Sequence, residues 1–238
     1  MSSATDPIVP KQARGDATRQ KIKDAARRLF ATRGLNAVSV KDIVTAAGQK
    51  NGGSMNYYFR TKEALIAEIA ADGALIIAAG RNRRLDALDA MGGPTSVREI
   101  VEILADLGGA EEESEDTLMR FLTMLIINER ELFVSAMANG VDNSLRRCAA
   151  HIYALLPHIP LPLLSHRVQL LTLYLATTLA SQEIAHEHAG YWKRFWSHKF
   201  AFDNFLDSGV GLLTQPVSEA TTAALAKDKT RLRKAKRT

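Results

Sequence analysis

Between residues 49 and 62 the chain gathers amides, hydroxyls, phenols and ammonium groups in one short stretch: Gln49, Lys50, Asn51, Gly53, Ser54, Asn56, Tyr57, Tyr58 and Lys62. The chemistry such a set does is hydrogen bonding to a polyanion. Gln49, Ser54 and Asn56 match base edges or phosphate oxygens, and Met55 either packs inward or meets a thymine methyl. Lys50, Arg60 and Lys62 bring positive charge for a phosphate backbone. Core packing is open for Tyr57 and expected for Phe59.

Other chemistries find little support. No Ser-His-Asp constellation, phosphate loop or paired-carboxylate spacing rises above chance, so the chain is expected not to be an enzyme and to need no cofactor. Glu183, His186 and His188 invite a metal, but His186 and His188 diverge on a helix and no further ligand set accompanies them. The single Cys148 cannot form an internal disulfide and reads as a small buried residue on a helix.

The elements that must position the polar stretch are helices, because apolar residues recur at helical spacing and period-two alternation is absent. Ile22, Ala25, Ala26, Leu29 and Phe30 share one face of a helix from Thr18 to Arg33, ended by Gly34. A second short helix opens at Ser39, with Asp42 completing a capping box, and Ile43, Val44 and Ala47 pack it before Gly48. After a polar turn, residues 53–59 allow about two more helical turns, and Thr61 caps a longer helix through Leu65 and Ile69. A short helix, a glycine turn and a second short helix resting on a first is the geometry that places a helix in the major groove. Farther on, Gly92-Gly93-Pro94 breaks the chain and Ser96 to Glu99 opens another helix. Helices are also expected around Leu118 to Ile126, Leu145 to Leu155, Leu163 to about Glu187, and Trp192 to Leu213.

Charge is segregated along the chain. Residues 1–62 hold 12 Lys and Arg against 4 Asp and Glu, residues 63–226 hold 12 against 21, and residues 227–238 hold 7 against 1. A basic head that coincides with a reading motif points to nucleic acid. The basic tail has too little apolar content to fold alone. It is expected to be a mobile second DNA contact, or else a solvated tail or one folded back on the acidic body. With 46% hydrophobic residues, no apolar run long enough to span a bilayer and no secretory signal, the expectation is a cytoplasmic protein away from membranes.

TRQKIKDAARRLFATRGLNAVSVKDIVTAAG followed by NYYFRTKEAL resembles the N-terminal domain of the tetracycline-repressor (TetR) family. The positions that carry the resemblance are Thr18, Arg19, Ile22, Ala25, Leu29, Phe30, Gly34, Ser39, Val40, Ile43, Ala47, Gly48, Tyr57, Phe59 and Lys62. Three departures stand out: Val44 where a small residue is usual, a turn QKNGG one residue longer than the commonest form, and Asn56 where an aromatic is frequent. The resemblance implies Tyr57, Tyr58 and Lys62 as phosphate anchors, with Thr18 at the start of the first helix as a further candidate. It also implies an all-α fold in which a three-helix helix-turn-helix domain precedes a larger helical domain for ligand binding and dimerisation. The expected boundaries are a flexible arm over 1–14, the DNA-binding domain over 15–75, the body over 76–215 and the basic tail over 216–238.

For the body, the resemblance implies a homodimer formed through its last two helices and a central ligand pocket. Leu171, Leu175 and Leu179 on one face, and the aromatics Tyr191, Trp192, Phe195, Trp196, Phe200, Phe202 and Phe205 with Leu206, fit such an interface, although an internal core explains them nearly as well. Candidate pocket residues are Phe121, Met124, Leu125, Phe133 and Met137 for an apolar lining, with Arg120, Asn128 and Tyr174 for polar specificity. The expected partners are a double-stranded DNA operator, a second copy of the chain and a small apolar or amphipathic effector. The function expected is a ligand-released repressor on a palindrome. Its rivals are a sequence-independent nucleoid-type binder, and a helical enzyme or lipid carrier with a scaffold helix-turn-helix.

Overall fold

Ile22, Ala25, Ala26 and Phe30 form the buried stripe of α1 (Lys11–Arg33), and Gly34, at φ +83°, closes it with an N–H to Phe30 O of 2.9 Å. The computed structural model describes residues 11–49, 53–107, 117–139, 143–187 and 189–235, and every regular element among them is an α-helix. α1 begins earlier than its apolar pattern: residues 11–14 of the expected arm are helical, and half-buried Thr18 lies two turns inside the helix, not at its start. α2 (Val40–Ala46) starts at the capping box, with the Asp42 N–H donating to Ser39 Oγ at 3.2 Å and the Ser39 N–H to Asp42 Oδ2 at 2.8 Å. α3 (Gly53–Phe59) buries Met55 and Phe59, four residues apart, against α2 and α4.

α4 (Lys62–Ala90) is capped by Thr61, whose Oγ1 accepts from the Ala64 N–H at 3.0 Å. Its 29 residues extend roughly 43 Å at 1.5 Å per residue. Leu65, Ile66, Ile69 and Ala70 seal the N-terminal helices, while Ile77, Ala78 and Leu85 belong to the body. The expected division between residues 75 and 76 thus falls within one continuous helix.

The body comprises α5 (Val97–Ala105), α6 (Leu118–Asn128), α7 (Arg130–Asn139), α8 (Ser144–Leu155), α9 (Leu161–Glu187), α10 (Tyr191–Trp196) and α11 (Ala201–Thr214), with α12 (Glu219–Ala235) after it. α9 is the axis, packed by α5, α6, α8, α10 and α11. Leu171, Leu175 and Leu179 are buried in this core, so that stripe is internal and not a free interface. The helix expected from Trp192 to Leu213 is two helices, parted by a turn in which the Ala201 N–H donates to His198 O at 2.9 Å. Tyr191, Trp192, Phe195, Phe200 and Phe202 around this turn are exposed, whereas Phe205 and Leu206 are buried. The basic tail is another correction: residues 219–235 are helical, in a helix packed substantially against no other element. Cys148 is buried in α8. No helix among the described residues is long and apolar enough to cross a membrane.

Candidate nucleic-acid interface and effector cavity

With Met55 and Phe59 turned inward, α3 presents Asn56 and Tyr57 outward, and Tyr57 is 81% exposed. Tyr57 therefore is not core. Its ring meets Tyr58 edge-on at 4.9 Å, and half-buried Tyr58 sets its hydroxyl beside Gly15 of α1. Gly53 opens the helix on the exposed side. Lys50, Asn51 and the side chain of Ser54 lie outside the described residues. Gln49 folds back, its Nε2 donating to Ala47 O at 3.2 Å.

Lys62 differs from its expected role. Its ammonium donates to Leu35 O at 2.5 Å and Val38 O at 2.8 Å, and it lies 5.5 Å from the Phe30 ring centroid. Its charge is therefore spent on tying the α1–α2 connection to the start of α4. Other cations of the basic head are also occupied by the fold. Arg19 pairs with Glu68 and sits 5.0 Å from the Phe59 ring centroid, and Lys23 bridges Glu68 at 3.4 Å and Asp72 at 2.5 Å. The Arg19 hydrogen bond, with help from Lys23, holds the Glu68 carboxyl below the usual glutamate range. Exposed Arg60, between α3 and α4, has φ +57°, a conformation rare outside glycine. Sequence reasoning missed a polar groove of about 570 Å³ lined by Lys21, Asp24, Arg27 and Arg28 of α1 and by Ala46, Ala47 and Gly48. The helical periodicity that places these cations on the polar side of α1 was its only signal.

In the body, a cavity of about 90 Å³ opens between α4, α5, α6, α7, α8 and α9, lined by Ala74, Ile77, Arg81, Leu104, Met119, Leu122, Ile126, Phe133, Leu145, Thr172, Leu175, Ala176 and Leu179. Of the expected pocket residues whose side chains are described, only Phe133 lines it. Phe121 and Leu125 are wholly buried on another face of α6, and Phe121 stacks on Phe30 of α1 at 6.2 Å. Arg120 pairs with Glu187 of α9 and reaches Ala31 O of α1 at 3.4 Å. Met124 is half-buried against the core, Asn128 is exposed, and the side chain of Met137 lies outside the described residues. Tyr174 joins α9 to α11, donating to Phe205 O at 3.0 Å and stacking on its ring, and burial raises its phenol pKa.

Glu183 has a structural task. Its carboxylate accepts from the backbone N–H of Met119 at 2.7 Å and of Arg120 at 2.9 Å, capping α6 where the helix carries partial positive charge. His186 is exposed and His188 lies outside the described residues. Among the described residues no group of three or more His, Cys, Asp or Glu is placed to hold a metal ion.

Residues 22–69 match the family model described as bacterial regulatory proteins, tetR family. No curated protein matches the chain. Among solved structures, a protein described as a TetR-family transcriptional regulator from Mesorhizobium loti MAFF303099 is 16% identical, with 84% of this chain and 96% of that one covered and a TM-score of 0.51. A tetR family transcription regulator from Shewanella sp. PV-4 gives 15% identity, 82% and 95% coverage and a TM-score of 0.51. A transcriptional regulator from Rhodococcus sp. Rha1 gives 18%, 83% and 96%, and 0.52. At these identities what is shared is the fold. Residues 22–69 thus match the tetR-family model, and the chain shares the all-helical fold of these transcriptional regulators.

Proposed function

We propose that this chain is a homodimeric repressor that reads a palindromic operator through α3 and is released by a small molecule held in the body. The observation that carries the DNA reading is the two-sided α3: Met55 and Phe59 anchor it while Asn56 and Tyr57 face outward. One helix of seven residues reads too few base pairs for adequate specificity, and a two-fold dimer doubles the site. Support for dimerisation is an outward face left by the core of α9 and α11, where Leu170, Leu173, Phe202 and Leu212 are exposed.

Release follows from the continuity of two helices. α4 lines the cavity with Ala74, Ile77 and Arg81 and runs unbroken into the DNA-binding helices; α6 lines it with Met119, Leu122 and Ile126 and abuts α1 through Arg120 and Phe121. A ligand that separates α4 from α6 shifts both supports of α1. By linkage it must then bind the DNA-bound form more weakly. Selection of bound sites from a random DNA pool tests the reading: an enriched palindrome is expected, while equal affinity for selected and random DNA would mark a sequence-independent binder. Sedimentation at micromolar concentration should give a dimer with and without DNA.

A further inference from the structure

Gly53, Asn56, Tyr57 and Arg60 are all exposed, and their spacing i, i+3, i+4, i+7 sets them along one side, with Met55 and Phe59 buried on the other. Arg60 stands one residue past the end of α3. Its backbone is held at φ +57°, and the Thr61 N–H donates to Phe59 O at 2.5 Å across it. A three-residue turn with positive φ is rare and strained, and the residue that closes a helix in such a conformation is ordinarily glycine. Among the described residues other than glycine, only Arg60 has a positive φ. Its guanidinium forms no ion pair among the described residues. Nearby Lys62 and Arg19, by contrast, are tied to Leu35 O, Val38 O and Glu68.

We propose that Arg60 is a phosphate-contacting residue of the DNA interface, kept at a strained corner because the contact needs its guanidinium. This rests on α3 entering the major groove. The seven residues of α3 rise roughly 10 Å, against a groove about 12 Å wide. A helix whose N-terminal residues face the base edges therefore brings the residue after its last turn toward the edge of the groove, where the phosphates stand. The closing carbonyls of α3 carry partial negative charge, so a phosphate near that end is repelled unless a cation lies between them. Arg60 supplies that cation, in a planar fork of donors that matches phosphate oxygens. Glycine would relax the turn and leave the carbonyls facing the phosphate.

The test compares the full chain with its Arg60→Gly, Arg60→Asn and Arg60→Lys variants on two duplexes, one carrying the site enriched from the random pool and one of random sequence. Affinity is followed over a salt series, with urea unfolding beside it. Arg60→Gly is expected to raise the urea midpoint, since the turn relaxes, so weaker binding cannot come from unfolding. Its affinity for both duplexes should fall by about tenfold or more, the worth of a hydrogen bond to a charged group. The slope of log affinity against log salt should flatten by close to one unit for each protomer bound, with the preferred sequence unchanged. Arg60→Asn, neutral and tolerant of positive φ, should bind like Arg60→Gly, which separates the lost charge from a loosened turn. Arg60→Lys should keep the wild-type slope. An Arg60→Gly protein whose slope is unchanged, or whose midpoint does not rise, overturns the proposal and leaves α3 as the reader. A wild-type chain that binds neither duplex overturns both.

Discussion

The ammonium of Lys62 has three protons, and the fold takes two of them for Leu35 O and Val38 O. Lys62→Ala should therefore cost about 1.5–3 kcal/mol, the range for hydrogen bonds to a charged group, seen as an earlier urea midpoint. DNA affinity should fall only as far as folding of the N-terminal helices does. Asn56→Ala, on an exposed position, should leave the midpoint alone and blur base preference at one position per half-site. The paired measurements separate scaffold from reader. They also mark a limit of sequence reading: a lysine beside a reading helix looks like a phosphate anchor, because nothing local in the pattern shows that two carbonyls after α1 need a donor.

Glu68 carries a pH signature at the same scale. Its pKa is depressed in the fold, by the Arg19 hydrogen bond before any other cause, so its contribution is present above the unfolded value, about 4.3, and is lost as pH falls through the folded value. Wild type and Glu68→Gln should differ in urea midpoint at pH 7, by about 1 kcal/mol for a half-buried network open to solvent, and converge in acid once the pH is below the folded value. A difference that persisted in acid would mean the amide disrupts packing and not an ion pair.

At the scale of elements, α6 decides what its residues can do. Apolar all round for most of its length, it buries Phe121 and Leu125 on one stripe and lines the cavity with Leu122 and Ile126 on the next. Each pair is four residues apart, so periodicity finds both stripes and cannot tell which faces a void. The other wall, from α4, lies more than forty residues earlier and was not legible at all. Caps were legible, because Ser39 with Asp42, Ser96 with Glu99 and Thr61 are local devices. The ends of α1 and α12 were not, because there the sequence has no apolar face for periodicity to find. Where the start of α6 meets α4, Gly73 leaves room for the Leu118 side chain, and a Cβ there would overlap Leu118 Cδ1. Gly73→Ala should change stability by about 1 kcal/mol or less, the strain of displacing Leu118 Cδ1 being largely offset by the helix propensity that Ala gains. Leu118→Ala in the same chain should cost less than in wild type. Strict additivity in that double-mutant cycle would mean the contact accommodates a Cβ after all.

Over the whole molecule, α9 gives the distances. Its C-terminal end holds α6 through Glu183 and Glu187, and α6 in turn touches α1, so this end is proximal to the DNA-binding helices. Near its other end Arg167 donates to Leu213 O at 2.7 Å, which puts the last turn of α11, and hence the root of α12, at the distal end. Twenty residues separate Arg167 from Glu187, roughly 30 Å of helix, whereas the 17 residues of α12 span roughly 25 Å. The helix alone is shorter than that distance, which argues against a contact between the tail and DNA held by α3. Charge counting alone cannot weigh this, because composition carries no distance. Deleting residues 219–238 should accordingly leave operator affinity and the slope of log affinity against log salt unchanged. Each phosphate contact removed would flatten that slope by close to one unit. A slope flatter by two or more units in the truncated protein would show that α12 turns back along the body to reach the phosphates.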